Sequence, residues 1–315
     1  MAGKAPERAA AGRNLLLVCA TAMEMRAAIA LLPGGPECDL SAWEEGAVLG
    51  RHYLPRLHLP GGNLSLLVCG VGPVASALSL ALACSAPVCR DTSSGIVFAR
   101  GAGQKSPARP RKNSPSLSDN KLEHYQVAGA GPFRGVVNMG IAGSYDCVAA
   151  PVGSVVLVDW ECFPEYGVWP EYDESVDGLS ENNGQPLALR FAQGLLPAGP
   201  VFSRLALDAH NTLGKLGLNC HTTLRLGGGA TLSGVSGTRR RAGRMQTLTG
   251  ALAGATIENM EGFALALGAA ALGVPFVELR SVSNQAGFRT PHTWNVDAAA
   301  QALGVAAQNI FAPLL

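Results

Sequence analysis

The chain has 315 residues, with 24 basic and 23 acidic side chains for a formal net charge of +1. That balance creates no long-range field to gather nucleic acid or an anionic membrane surface. Apolar residues make up 48% and charged residues 15%, which excludes the disordered and highly charged classes.

Along the chain, residues 1–13 read as a flexible tail. Lys4, Arg8 and Arg13 precede an apolar stretch in the manner of an export signal, but Glu24 and Arg26 follow at once. Residues 14–20 predict a buried strand, and 23–32 carry helical spacing up to the stop at Pro33-Gly34-Gly35. A second strand at 64–69 leads into Gly70-Val71-Gly72-Pro73 and a helix of small residues through Cys84. Pro73 suits the first helical turn, where its missing N–H costs nothing.

From about 85 to 130 the periodicity fails. Residues 99–121 hold six positive charges, one negative charge and three prolines. They predict a loosely ordered insertion rather than a packed element. No aromatic side chains interleave with these charges, so a solvated loop is expected rather than a nucleic-acid surface.

Order returns with a short strand at 135–138, directly before Met139-Gly140-Ile141-Ala142-Gly143-Ser144, and another strand at 152–158. Helices are expected at 205–216, 239–252, 260–272 and 296–311, and strands at 221–226 and 276–280, with a loop at 227–238. Strands alternating with helices predict one α/β domain over residues 14–315. It should have a central mixed, largely parallel sheet flanked by helices.

The eight cysteines form no C-x-x-C pair and read as buried thiols of a reducing, cytoplasmic compartment. Their spacing offers no metal site. Gly70-Val71-Gly72-Pro73-Val74-Ala75 fits a dinucleotide fingerprint between a strand and a helix. It does not follow the first strand, however, and Pro73 removes an N–H where a pyrophosphate would sit. Tight strand-to-helix packing and a loop for a smaller ligand are the competing readings.

Five segments in order resemble the purine nucleoside phosphorylase and nucleosidase superfamily. They are Ala22-Met23-Glu24, the Gly70–Ala75 segment, Asn138-Met139-Gly140-Ile141-Ala142-Gly143, Glu258-Asn259-Met260-Glu261-Gly262 and Ser281-Val282-Ser283-Asn284. The resemblance covers about residues 14–84 and 131–313, and within the superfamily it is nearest the futalosine hydrolase branch.

The resemblance implies a phosphorylase/nucleosidase-like fold and hydrolysis of an N-glycosidic bond. For the futalosine branch the products would be hypoxanthine and dehypoxanthine futalosine, in a route to menaquinone. It further implies no cofactor, a small nucleoside as the partner, no nucleic acid or membrane, and a homodimer or larger homo-oligomer.

The site residues follow from the matched motifs. Glu261 and Met260 match the ribose clamp, with Gly72, Gly140 and Ile141 as further substrate contacts. Asn284 stands where relatives that cleave adenine nucleosides carry Asp. An amide can donate to N7 or O6 of a 6-oxopurine but cannot deliver a full proton.

The bacterial phosphorylases carry Arg-x-Gly-Ser where this chain has Asn138-Met139-Gly140-Ile141, so two phosphate contacts are lost and water is the expected nucleophile. The related nucleosidases run Ala-Met-Glu-Glu-Glu and use the last Glu to activate water. Here that place falls on Arg26, which leaves Glu24 as the candidate base or, equally, an ordinary first-turn helix Glu.

Phe288, Arg289, His292 and Trp294 have the composition of a pocket for an aromatic carboxylate on the 5′ side, with Phe163 and Tyr166 as further walls; an ordinary surface loop is the alternative. Two other readings stay open. One is a nucleosidase for methylthioadenosine or S-adenosylhomocysteine, and the other is a nucleoside-binding module that has lost its base.

Overall fold

A computed structural model describes residues 14–41, 54–85, 133–165, 204–221, 224–250, 254–290 and 293–315. The tail at 1–13, the insertion at 85–130, Tyr166 and His292 lie outside them, apart from the backbone of residue 85. The described residues all belong to one compact unit.

Among the described residues nine strands build the sheet: β1 Asn14–Cys19, β2 Arg56–Leu59, β3 Gly62–Val68, β4 Phe133–Ser144, β5 Val155–Cys162, β6 Leu205–Ala206, β7 Arg225–Thr231, β8 Ile257–Asn259 and β9 Phe276–Gln285. Hydrogen bonding orders them β2-β3-β1-β4-β8-β7-β5-β6, and β9 pairs with both β4 and β5. The β1–β3, β1–β4, β4–β9, β5–β7 and β7–β8 pairs are parallel, and β2–β3, β4–β8, β5–β6 and β5–β9 are antiparallel. The mixed, largely parallel sheet expected from the sequence is therefore present.

Helices cover both faces, which is why β1 is apolar from Leu15 to Cys19. Leu15 and Leu17 pack with Met25 and Ile29 of α1 (Ala22–Ile29) and with Leu303, Ile310 and Phe311 of the closing helix. Leu16 and Val18 pack on the other face with Leu80 of α2 (Pro73–Ser85) and with Leu265 and Ala269. Each fully buried leucine contributes about 1.5–3 kcal/mol of transfer free energy.

The remaining helices are α3 Ala209–Lys215, α4 Arg239–Gly250, α5 Gly262–Ala271 and α6 Val296–Phe311. No helix among the described residues is long and apolar enough to cross a membrane.

Several expectations need correction. The expected strand at 135–138 continues through the whole glycine motif to Ser144, because the motif stays paired with β9. The expected loop at 227–238 begins as strand β7. Gly228 lies under the Trp160 ring and Gly229 under the Glu161 carboxyl, so glycine there makes room for neighbours rather than a turn. The helix expected at 205–216 starts only at Ala209, since Leu205 and Ala206 pair with β5. The strand expected at 276–280 runs on to Gln285. The short strands β2 and β8 were not anticipated.

Candidate active site

The C-terminal ends of β1, β3, β4 and β9 converge where α1 and α2 begin, the place where open α/β sheets bind ligands. Glu24 is buried in the first turn of α1. Its Oε2 accepts the Thr21 N–H at 2.9 Å, while Thr21 Oγ1 accepts the Glu24 N–H at 3.2 Å. This reciprocal capping box fixes the carboxylate. Its other oxygen, Oε1, accepts the Ile141 N–H at 2.9 Å. Glu24 is therefore a helix cap that also ties α1 to the glycine motif of β4. Burial pushes its carboxyl above the ordinary carboxylate range, against the Ile141 N–H and Arg280, which pull it down.

Gly140 shows how close these groups stand. A Cβ there would lie 2.5 Å from Arg280 Nη1 and 2.9 Å from Glu24 Oε1, so a side chain would force them apart.

Glu261 precedes α5 and is buried. Its Oε1 accepts the Gly72 N–H at 3.1 Å, and its Oε2 pairs with Arg280 Nη1 at 3.2 Å. Gly70 and Gly72 have φ of +81° and +97°, a backbone that favours glycine and turns the Gly72 N–H inward. That N–H is engaged with Glu261 and β3 is not the first strand, so the dinucleotide reading falls. The Met260 methyl stands 4.0 Å from where a Gly72 Cβ would be. Glu24, Gly72, Gly140, Ile141, Met260 and Glu261 thus meet at one place.

Arg280 was missed in the sequence, although a charged residue inside an apolar strand was a usable signal. It is 1% exposed and binds Glu278 Oε1 through Nε at 2.7 Å as well as Glu261. These carboxylates, with Glu24, hold its guanidinium charged despite burial. Among the described residues five glutamates are buried, at 24, 161, 258, 261 and 278, against the single buried cation Arg280.

Arg26 is exposed on the outer side of α1, where its charge acts on Asp39. The residue that the motif aligns with the last Glu of the nucleosidases therefore lies on the exposed side of α1, while Glu24 is buried.

Asn284 lies at the end of β9 beside Gly143 of β4. Its Nδ2 donates to the Gln285 carbonyl at 2.8 Å and to the Phe288 carbonyl at 3.4 Å, and its Oδ1 accepts from Ser283 Oγ at 2.9 Å. Trp294 Nε1 donates to Ser283 Oγ at 3.1 Å, and the Arg289 guanidinium lies 5.2 Å from the Trp294 ring centre. Arg239 stacks on Phe288 at 4.0 Å. Arg289 and Trp294 are thereby linked to Asn284 through Ser283. Phe163 packs near Phe263, with ring centres 6.0 Å apart.

Residues 115–315 match the family model of the phosphorylase superfamily. The chain is 36% identical to the futalosine hydrolase of Streptomyces coelicolor over 172 residues, which are 55% of this chain and 63% of that protein. That match falls just short of two thirds of the relative's length. With the futalosine hydrolase of Thermus thermophilus it shares 31% identity over 189 residues, 59% of this chain and 72% of that protein.

Among solved structures, the 5′-methylthioadenosine/S-adenosylhomocysteine nucleosidase of Helicobacter pylori superposes with a TM-score of 0.58 at 15% identity, covering 96% of this chain and 98% of that one. The native futalosine hydrolase of Helicobacter pylori superposes with a TM-score of 0.55 at 16% identity, covering 94% and 96%. These likenesses establish the phosphorylase/nucleosidase-like fold.

Proposed function

The chain belongs to the phosphorylase superfamily, and we propose that it hydrolyses the N-glycosidic bond of futalosine, releasing hypoxanthine and dehypoxanthine futalosine in a route to menaquinone. The observation that carries this reading is the buried Glu261 carboxylate, anchored by Gly72 and Arg280 beside a second carboxylate, Glu24.

Breaking the bond builds positive charge on the ribose ring, so a fixed anion stabilises the transition state more than the ground state. In this reading Glu261 accepts from the 2′ and 3′ hydroxyls and Met260 packs on the sugar. Glu24 takes a proton from water as its oxygen attacks C1′. The purine leaves with the C1′–N9 electron pair, and the Asn284 amide donates a hydrogen bond to N7 or O6. The proton taken by Glu24 returns to solvent or to the departing base. Arg289 and Trp294 are assigned to the 5′ side. At the site itself the Glu24 and Glu261 carboxylates face the one guanidinium of Arg280, which disfavours a phosphate nucleophile and favours water.

The test is base release by the purified protein from futalosine, inosine, adenosine and methylthioadenosine, with and without phosphate. Phosphate-independent release of hypoxanthine from futalosine is expected. A strict phosphate requirement, or binding without turnover, would defeat the proposal.

A homodimer or larger homo-oligomer belongs to the same reading. The exposed Val71, Val74 and Leu78, at the start and along one flank of α2, are its candidate contact face. Light scattering that returned the mass of one chain would remove it. A cytoplasmic location also fits, with seven described cysteines free.

Asn284 supplies a selectivity prediction. An ionised Asp there would face O6 as acceptor against acceptor, whereas a protonated Asp could donate towards N7 of adenine. Asn284→Asp is expected to lower kcat/KM for the 6-oxo substrate relative to its 6-amino analogue by roughly ten- to hundredfold, the effect of one buried hydrogen bond. An unchanged ratio would mean that Asn284 does not read the base.

A further inference from the structure

Behind Glu261 lies a buried polar set that takes no part in the steps above. Glu161 of β5 is fully buried. Its Oε1 accepts from Asn259 Nδ2 at 2.6 Å, and its Oε2 is 2.8 Å from Thr231 Oγ1. Asn259 Oδ1 accepts the N–H groups of Glu261 at 3.0 Å and Gly262 at 2.8 Å, and Thr231 Oγ1 accepts that of Phe263 at 2.7 Å. These are the leading N–H groups of α5, which have no partner within the helix. Two side chains from β7 and β8 therefore cap α5, and a carboxyl from β5 holds both.

Glu278 faces Glu161 across Gly262. A Cβ on Gly262 would lie 2.5 Å from Oε1 of each. Glu278 Oε1 accepts from Arg280 Nε at 2.7 Å and from Asn138 Nδ2 at 3.2 Å. Two ionised carboxylates facing each other in a dry interior are strongly unfavourable, so the pair holds one proton. Glu278 has the guanidinium and is the charged member. Glu161 touches only an amide and a hydroxyl. A proton on its Oε2 can be donated to Thr231 Oγ1, whose own proton then reaches Asn259 Oδ1 at 3.1 Å. The Thr231 hydroxyl and the Glu161 proton then both have acceptors. Burial and Glu278 both push the Glu161 carboxyl upward, in keeping with that state.

We propose that Glu161 is a positioning residue for the reaction: as a neutral carboxyl it holds Asn259 and Thr231 against the start of α5, and so fixes Glu261 beside Arg280 in the geometry that meets the ribose hydroxyls. The proposal rests on the reading of Glu261 as the ribose ligand.

The experiment uses the full chain and reads kcat and KM for futalosine, the inhibition constant of hypoxanthine, and Tm. Glu161→Gln reproduces the neutral carboxyl, its oxygen towards Asn259 and its NH2 towards Thr231. It is expected to keep kcat/KM within about threefold of the parent, since every hydrogen bond is retained. Glu161→Ala releases both caps, and kcat/KM is expected to fall about ten- to hundredfold. Hypoxanthine lacks ribose, so its inhibition constant should stay within about twofold. Thr231→Val, nearly isosteric, should give a smaller loss in the same direction and decides the matter if Glu161→Ala does not fold.

A glutamine variant as impaired as the alanine one would overturn the neutral-carboxyl role. Equal loss of hypoxanthine binding would reduce Glu161 to general packing. Parental kcat/KM in both Glu161→Ala and Thr231→Val would end the proposal. Glu261→Gln separates the two readings: if it is crippled while Glu161 variants are normal, only the positioning role fails. If Glu261→Gln is itself normal, the ribose reading fails first.

Discussion

Glu261→Gln is expected to lower kcat by roughly a thousandfold or more, the scale of losing a preorganised electrostatic contact to a developing charge. At about 1.4 kcal/mol per factor of ten, that is about 4 kcal/mol of transition-state stabilisation. The substitution keeps the shape and removes the charge. It also breaks the local pattern, because Oε1 and Oε2 both accept, from Gly72 N and Arg280 Nη1. A glutamine amide must present its NH2 to one of those donors. The fold should survive, since Arg280 keeps its 2.7 Å bond to Glu278 and Asn259 still caps α5. The discriminating measurement is kcat beside Tm. Turnover within tenfold of the parent, in a protein of unchanged Tm, would leave Glu261 a structural residue.

Much of this site was legible in the sequence because its anchors are local. Thr21 and Glu24 form a capping box three residues apart, and Gly70 and Gly72 announce a turn between a strand and a helix. Other parts depend on pairing across the sheet, which no local pattern encodes. Arg280, Glu278 and Glu161 sit in strands whose first halves otherwise read as apolar runs. Their side chains meet only because β4 and β5 both pair with β9. The glycines of β7 misled for a similar reason: they look like a loop until the Trp160 ring and the Glu161 carboxyl are seen lying over them. Strand β8, of three residues, is too short to show any period. The motif alignment put Arg26 in the catalytic place, whereas helical geometry turns Glu24 inward and Arg26 out.

Glu24→Gln is expected to lower kcat by about a hundredfold or more, the usual contribution of a positioned general base. Glutamine can still accept the Ile141 N–H through its oxygen. Its NH2 then faces the Thr21 N–H, donor to donor, so half of the capping box is lost at about 1 kcal/mol. A kcat loss of a hundredfold far exceeds what that cap alone could cause in a folded protein.

The pH dependence separates the two roles. A base must be ionised, and burial raises the Glu24 carboxyl above its ordinary range. Activity should therefore fall as pH drops through that raised value, and the limb should vanish in the glutamine variant. Stability runs in the opposite sense. A raised folded-state pKa contributes stability that is present below the ordinary carboxylate pKa and is lost as pH rises through the raised one. The parent gives up this contribution at higher pH, whereas glutamine has no proton to lose. The Tm deficit of Glu24→Gln should therefore shrink between acidic and neutral pH. A variant that keeps both its turnover and its acidic limb would return Glu24 to the role of a helix cap.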